Sequence, residues 1–262
     1  MVYEMDTQFN YYDMNARGDI KLTALLKYIN LAAGANSEEL GAGFDVTEPL
    51  GLAFVIQRFA LHVLKWPVYL QSTKVRTWPA EITKGTFRRN GEMWDQNGEK
   101  MAEWTGLWVL IDIHERKVRR PKALPTPFPS AGLLDVLIEA PKIEVPEESV
   151  PVTSYPHTVR YCDADLNMHM NNAVYGDLIA NVLEVGGNDL SHLSYVPSWR
   201  EVRFNYLSEA RIGEEIAVEC RKLAKSASKC CGDTLYFTGN AEDRLVFSAS
   251  VEVEVESETR SV

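Results

Sequence analysis

From about Lys21 the chain sets Leu22, Leu25, Leu26, Ile29 and Ala33 at i, i+3 and i+4 intervals, the spacing of one helical face, and Gly41 and Gly43 supply a stop. Beyond Gly51 the pattern changes to strands. Residues 52–64, 69–78, 82–90 and 100–113 are rich in β-branched and aromatic side chains, and Pro67, Pro79 and the turn Asp95-Gln96-Asn97-Gly98 separate them. An extended aromatic segment, Phe9-Asn10-Tyr11-Tyr12-Asp13, precedes the helix. Together these predict an α+β unit, an antiparallel sheet packed on one helix.

Eight of the twelve prolines then fall between Pro121 and Pro156. Such a density forbids regular helix or central strand, so residues 126–150 are assigned to a Pro-rich linker, with a short helical patch around Leu133–Ile138. The plan then repeats: an extended segment over 154–170, a helix from about Asn172 to Val185, and strands near 198–206, 215–222, 234–240 and 246–255. Laying Asp13 on Asp163 brings Leu25 onto Tyr175 and Ile29 onto Ile179. The order of elements is shared although the identity is weak, which favours a tandem duplication with domains at 1–125 and 151–262.

The most unusual stretch is Asp163-Ala164-Asp165-Leu166-Asn167-Met168-His169-Met170-Asn171-Asn172. Its alternation predicts an extended chain with Asp165, Asn167 and His169 on one side, successive ones about 6.6 Å apart. Leu166, Met168 and Met170 would then anchor the other side in the core. A half-exposed strand explains the pattern poorly, because Asp and Asn are depleted in strands. Capping of the following helix accounts for Asn171 or Asn172 but not for the rest. The chemistry is more telling. A neutral histidine moves protons near pH 7, and a carboxylate beside it fixes its tautomer or acts as base or nucleophile. Backbone N–H groups at a helix start near Asn172 suit an oxyanion, so the set points to acyl transfer to water. The aligned N-terminal positions hold Asn15, Arg17 and Asp19, which leaves the first half free to bind substrate.

Charge and composition narrow the alternatives. A net charge of −10, from 27 basic and 37 acidic residues, excludes a general nucleic-acid binder. No run approaches about 18 apolar residues, so no membrane span is expected. The N-terminus has neither the basic end nor the apolar stretch of a signal peptide, and a cytoplasmic location follows as an expectation. Cys162, Cys220, Cys230 and Cys231 lack metal or redox spacing and are taken as reduced structural thiols. No His/Cys/carboxylate spacing suits a metal and no Gly-rich phosphate loop is present, so neither metal nor cofactor is expected. His62, His114, His157 and His192 have no partners in sequence and are assigned to surface or core.

The chain resembles the acyl–acyl carrier protein thioesterases of bacteria and plant plastids. The resemblance rests on D-x-N-x-H-x-N-N at Asp165–Asn172, with Tyr175 following and Arg160 and Asp163 preceding. It extends to Glu39-Leu40-Gly41, Gly51-Leu52-Ala53-Phe54-Val55, Thr77-Trp78-Pro79 and Trp108-Val109-Leu110-Ile111-Asp112. It implies two tandem hot-dog domains, each an antiparallel sheet wrapped around a central helix, the second catalytic. It also implies hydrolysis of fatty acyl–acyl carrier protein, with Asp165, Asn167, His169 and Glu209 as the catalytic set. Asn171, Asn172 and Tyr175 would contact substrate. Ala210 stands where plant members carry a cysteine, so a cysteine–histidine–asparagine route is closed. The carrier is acidic, and Arg116, Lys117, Arg119, Arg120 and Lys122 are the first candidates to receive it, with Arg88-Arg89 second. Leu25, Ile29, Phe54, Ile56 and Phe59 are candidates for an acyl tunnel, although core packing explains most of them. An acyl-coenzyme A thioesterase, a dehydratase and a non-catalytic acyl-thioester sensor are the competing readings, and a homodimer stays open.

Overall fold

The computed structural model describes residues 2–129, 138–185, 198–223 and 233–254. The chain divides into two compact units, Met1–Tyr12 with Ala24–Pro141, and Asp13–Thr23 with Lys142–Val262. In the first, β1 (Tyr3–Gln8), β2 (Leu52–Val63), β3 (Ser72–Thr83), β4 (Thr86–Asp95) and β5 (Lys100–Asp112) pair antiparallel in the order β1-β3-β4-β5-β2. A short β6 (Lys117–Arg119) adds to β5. In the second, β7 (Ser149–Thr158), β8 (Trp199–Tyr206), β9 (Glu215–Leu223), β10 (Asp233–Ala241) and β11 (Arg244–Val253) pair in the order β7-β9-β10-β11-β8. Counted within each unit, both sheets therefore run first, third, fourth, fifth, second. Each carries one long helix, α1 (Leu22–Glu39) or α3 (Tyr175–Val185), and each is a hot-dog domain. The chain is α+β and duplicated.

The two sheets also share a packing device. Gly91 on β4 lies opposite Trp104 on β5, and Gly239 on β10 lies opposite Phe247 on β11. A Cβ at Gly91 would sit 2.2 Å from the Trp104 ring, and one at Gly239 would sit 2.1 Å from the Phe247 ring. In both places the absent side chain makes room for a buried aromatic ring.

Helix α1 buries the face its periodicity predicts, Leu22, Leu25, Leu26, Ile29 and Ala33. It stops as a Schellman motif: Gly41 takes a φ of 67°, the Ala42 N–H reaches the Ser37 carbonyl and the Gly41 N–H reaches that of Glu38. A one-turn helix, α2 (Phe44–Thr47), follows. Near its end α1 is tied to the sheet by Arg89. One guanidinium nitrogen lies 2.7 Å from Asn36 Oδ1 and 3.4 Å from Thr77 Oγ1, and the other lies 3.2 Å from Ser37 Oγ. Arg89 shares the inward face of β4 with Phe87 and Met93 and is buried, which pushes its guanidinium down to about 10. Arg88 is 14% exposed and pairs with Glu81 and Glu139. The expected carrier surface at Arg88-Arg89 is therefore overturned, because strand alternation sends one arginine inward and the other is held by its own acidic neighbours.

One proline expectation also changes. Pro79 does not end a strand, since β3 runs through it to Thr83 with a shift of register between Pro79 and Ile82. A bulge accommodates the missing N–H. Pro151 and Pro156 lie within β7, which pairs on one side only, with β9. The helical patch expected around 133–138 lies, save for Ile138, outside the described residues, as do Cys230, Cys231 and His192. Cys162 and Cys220 are free thiols, and burial pushes that of Cys220 up to about 12. Among the described residues no helix is long and apolar enough to cross a membrane.

Replacing Arg89 by Met would strip Asn36, Ser37 and Thr77 of a buried donor. The expected cost is about 1–3 kcal/mol. In a thermal melt this is a midpoint at least about 2 °C lower, with far-ultraviolet circular dichroism retained.

Candidate active site

Asp165 and His169 come together across a tight turn and not along a strand. The Asp165 N–H donates to the His169 carbonyl at 3.0 Å, the Met168 N–H to the Asp165 carbonyl at 3.0 Å, and Ala164 bridges Met170. Asp165 Oδ1 accepts the Asn167 N–H at 2.9 Å, an Asx turn that competes with extension. Met168 sits at a φ of 61°, which turns the chain back. The extended reading of 163–171 is thus corrected, and so is the anchoring it implied. Leu166 and Met168 are 83% and 61% exposed, and only Met170, at 2%, enters the core. Asn167 is exposed near the tip of the turn.

His169 Nδ1 lies 3.3 Å from the Met170 carbonyl oxygen and 3.9 Å from Asp165 Oδ1. A carbonyl only accepts, so in the neutral ring the proton belongs on Nδ1 and Nε2 is left as the base. Asp165 Oδ2 accepts from Asn171 Nδ2 at 3.4 Å, so both carboxylate oxygens hold donors. Asn171 Oδ1 in turn accepts the Ala173 N–H at 2.9 Å, and its carbonyl accepts the Val174 N–H at 3.0 Å. The first donors of the turn leading into α3 are therefore occupied by Asn171. Of the donors expected to face an oxyanion, the Ala173 N–H is taken by the Asn171 side chain and the Val174 N–H by its carbonyl.

Glu209 enters by main-chain pairing. His169 bridges Arg211, and the Met170 N–H donates to the Ala210 carbonyl at 2.8 Å, which sets Glu209 in register with Asn171. The Glu209 carboxylate lies 3.8 Å from Arg211 Nε. Tyr175 is buried edge-on against Tyr206 and Phe247, and the Tyr206 hydroxyl donates to the Asn172 carbonyl at 3.2 Å. Burial pushes the Tyr175 hydroxyl far up; Arg244 opposes this, while Glu214 and Asp165 add to it.

The same turn occurs in the N-terminal copy. Asn15 N–H donates to the Asp19 carbonyl at 2.8 Å, Lys21 N–H to the Asp13 carbonyl at 2.8 Å, and Met14 bridges Ile20. Gly18, at a φ of 87°, stands where Met168 does. Its aligned side chains are Asn15, Arg17 and Asp19, with Arg17 paired to Glu184 at 2.8 Å. Thr23 donates to the Asp177 carboxylate beside it.

The contact of His157 with Asp163 carried no signal in sequence. His157 Nε2 lies 3.0 Å from Asp163 Oδ2, which also accepts the Arg160 N–H at 2.8 Å, and the Asp163 carbonyl accepts the Asn171 N–H at 2.8 Å. The base of the turn is fastened there. Elsewhere, Arg119 spends its charge on Asp112, with Nη2 at 2.7 Å, and on Glu115 at 3.1 Å; Lys117, Arg120 and Lys122 are exposed, and Lys117 also pairs with Glu115 at 3.5 Å. Of the tunnel candidates, Leu25, Ile29, Ile56 and Phe59 are core residues, and Phe54 packs with Phe87 and Phe128. A groove of about 1000 Å³ in the first unit is lined by charged residues such as Glu4, Asp6, Lys74 and Arg76, and not by any of these five.

Comparison with known proteins gives a consistent result. Residues 1–123 match the family model of the acyl-ACP thioesterase N-terminal domain, and residues 147–253 match that of the C-terminal domain. An acyl-ACP thioesterase from Bacteroides thetaiotaomicron superposes with a TM-score of 0.79 at 20% identity, covering 97% of this chain and 98% of its own. A 12:0-ACP thioesterase from Umbellularia californica superposes with a TM-score of 0.78 at 18% identity, covering 96% and 93%. A chloroplastic acyl-[acyl-carrier-protein] hydrolase of Cuphea viscosissima is 24% identical over 189 residues, 67% of this chain and 45% of its own length. The chain spans about half the length of the curated relatives it matches.

Two outcomes follow from this geometry. A β-branched residue tolerates positive φ poorly, so Met168→Val should cost about 1–2 kcal/mol in urea unfolding, whereas Met168→Gly should be accepted. The second concerns pH. The Glu115 N–H, then the Arg119 guanidinium, hold the Asp112 carboxyl down at about 2. A depressed acid stabilises above its unfolded value, ordinarily about 3.9, and loses that contribution as pH falls through its folded one. A nuclear magnetic resonance titration should find Asp112 ionised at pH 3, with the turn at 112–119 loosening only toward about pH 2.

Proposed function

Because the chain belongs to the acyl-ACP thioesterase family, matching the models of both its domains, we propose that it hydrolyses the thioester of a fatty acyl chain on acyl carrier protein and releases the free acid. The observation that carries this reading is the closure of Asp165 and His169 across one turn within the matched C-terminal domain.

On this reading His169 Nε2 takes a proton from water as the oxygen adds to the thioester carbonyl. The tetrahedral intermediate then expels the thiolate, and the imidazolium returns the proton to sulfur. Asp165 stabilises the imidazolium. Its two oxygens already accept the Asn167 N–H and the Asn171 amide, which dulls it as a nucleophile and favours direct attack by water. Asn167, at the exposed tip, holds the thioester carbonyl, and Glu209 orients water or His169. Asn171 fixes Asp165, while Asn172 and Tyr175 support the acyl end of the substrate. Ala210 supplies no thiol, so no cysteine route competes. The acidic carrier is received by the exposed Lys117, Arg120 and Lys122 with Arg119 behind them, a local exception to the net charge of −10. The reaction needs no cofactor and is assigned to the cytoplasm.

Matched acyl chains on carrier protein and on coenzyme A test the substrate. Faster turnover on the carrier is expected, and faster turnover on coenzyme A would reassign the thiol. His169→Ala should lower kcat/KM by about 10²–10⁴. Equal rates for parent and variant would remove the mechanism.

A further inference from the structure

Arg244, at the start of β11, makes more bonds than a surface arginine needs. Nη1 donates to Ser208 Oγ at 2.8 Å and to the Glu209 carbonyl at 2.5 Å. Nη2 donates to both oxygens of Glu214, at 2.7 and 2.8 Å. Glu214 also accepts the Arg211 N–H at 2.8 Å. Burial alone would raise the Glu214 carboxyl, but the Arg211 N–H and the guanidinium outweigh it and hold it low, so it stays charged as a partner. These bonds enclose residues 208–211, the stretch whose main chain receives the Met170 N–H and bridges His169.

We propose that Arg244 is a positioning residue of the active site: its guanidinium, with Glu214, holds the Glu209 turn against the segment that carries His169. The inference rests on the reading of Asp165, His169 and Glu209 as the reacting set. The geometry favours arginine because one planar fork reaches a hydroxyl and a carbonyl on one side and a carboxylate on the other. A lysine has one nitrogen and cannot span them. With Arg244 40% exposed and Glu214 30% exposed, solvent screens the pair, so its stabilising value is small and its effect is geometric.

The test uses the full chain with Arg244→Ala, Arg244→Lys, Glu214→Gln and the His169→Ala control. Arg244→Ala should keep its melting midpoint within about 4 °C of the parent. Its kcat should fall on the order of 10²-fold, as for a reacting group displaced by an ångström, with KM changed less than about 2-fold. Arg244→Lys should recover little, and added guanidinium should restore part of the Arg244→Ala rate. Hydrogen exchange reads the same clamp without catalysis: the Met170 and Arg211 amides should exchange faster in Arg244→Ala and in Glu214→Gln. If Arg244→Ala fails to fold, Glu214→Gln carries both readouts. Unchanged exchange, or an unchanged kcat while His169→Ala is inactive, overturns the role of Arg244 alone. A fully active His169→Ala overturns instead the mechanism on which it rests.

Discussion

The site depends on one backbone constraint, the bond from the Asp165 N–H to the His169 carbonyl. It closes a turn so short that a carboxylate and an imidazole four residues apart have nowhere to diverge. Asp165 is held three ways, through its N–H and through each carboxylate oxygen, so little rotamer freedom is left to it. The strain of Met168 at positive φ is the cost of that closure, and the layers beneath the turn hold it in place. Asn171 ties back to Asp163, and Asp163 is fixed in turn by His157 and the Arg160 N–H.

That frame does not depend on the side chains it carries. Residues 13–21 make the same closing bond, the same bridge and the same bond to the residue at the base, yet their aligned side chains hold no imidazole. Nothing in the N-terminal turn needs a catalytic group to be stable. Its tip residue, Arg17, is instead paired with Glu184. The turn is therefore an architectural part of the fold, and the C-terminal copy differs from it in presenting Asp165, Asn167 and His169 where the N-terminal one presents Asn15, Arg17 and Asp19.

What could be read in sequence, and what could not, follows from the range of each signal. The α1 face and most strands were legible because their periods are local, and the duplication because the order of elements repeats. Candidate site residues could be named from sequence; their arrangement could not. Alternation from Asp163 to Asn171 suggests a strand, but Asp165 accepts the amide two residues on and bends the chain first. Gly18 was the available warning, since a glycine aligned with Met168 marks a position where φ turns positive. The Arg88-Arg89 pair misled for a related reason: neighbours in a strand face opposite ways, and one of them is buried under α1. His157 and Asp163 meet only because β7 ends before a 3-10 turn at Tyr161–Asp163, and no periodic pattern encodes that.

Ala210 contributes to the site through its backbone. Its side chain is buried and inert, but its carbonyl receives the Met170 N–H and so fixes the register of the Glu209 stretch against the His169 segment. The contribution is made by main chain, which any non-proline residue supplies equally; Pro would be constrained here by its fixed φ and not by this carbonyl. The side chain is constrained separately, by the packing that leaves Ala210 buried. At Asp165 and His169 the division is reversed: the main chain brings the two within reach, and the 3.9 Å approach is made by the side chains themselves.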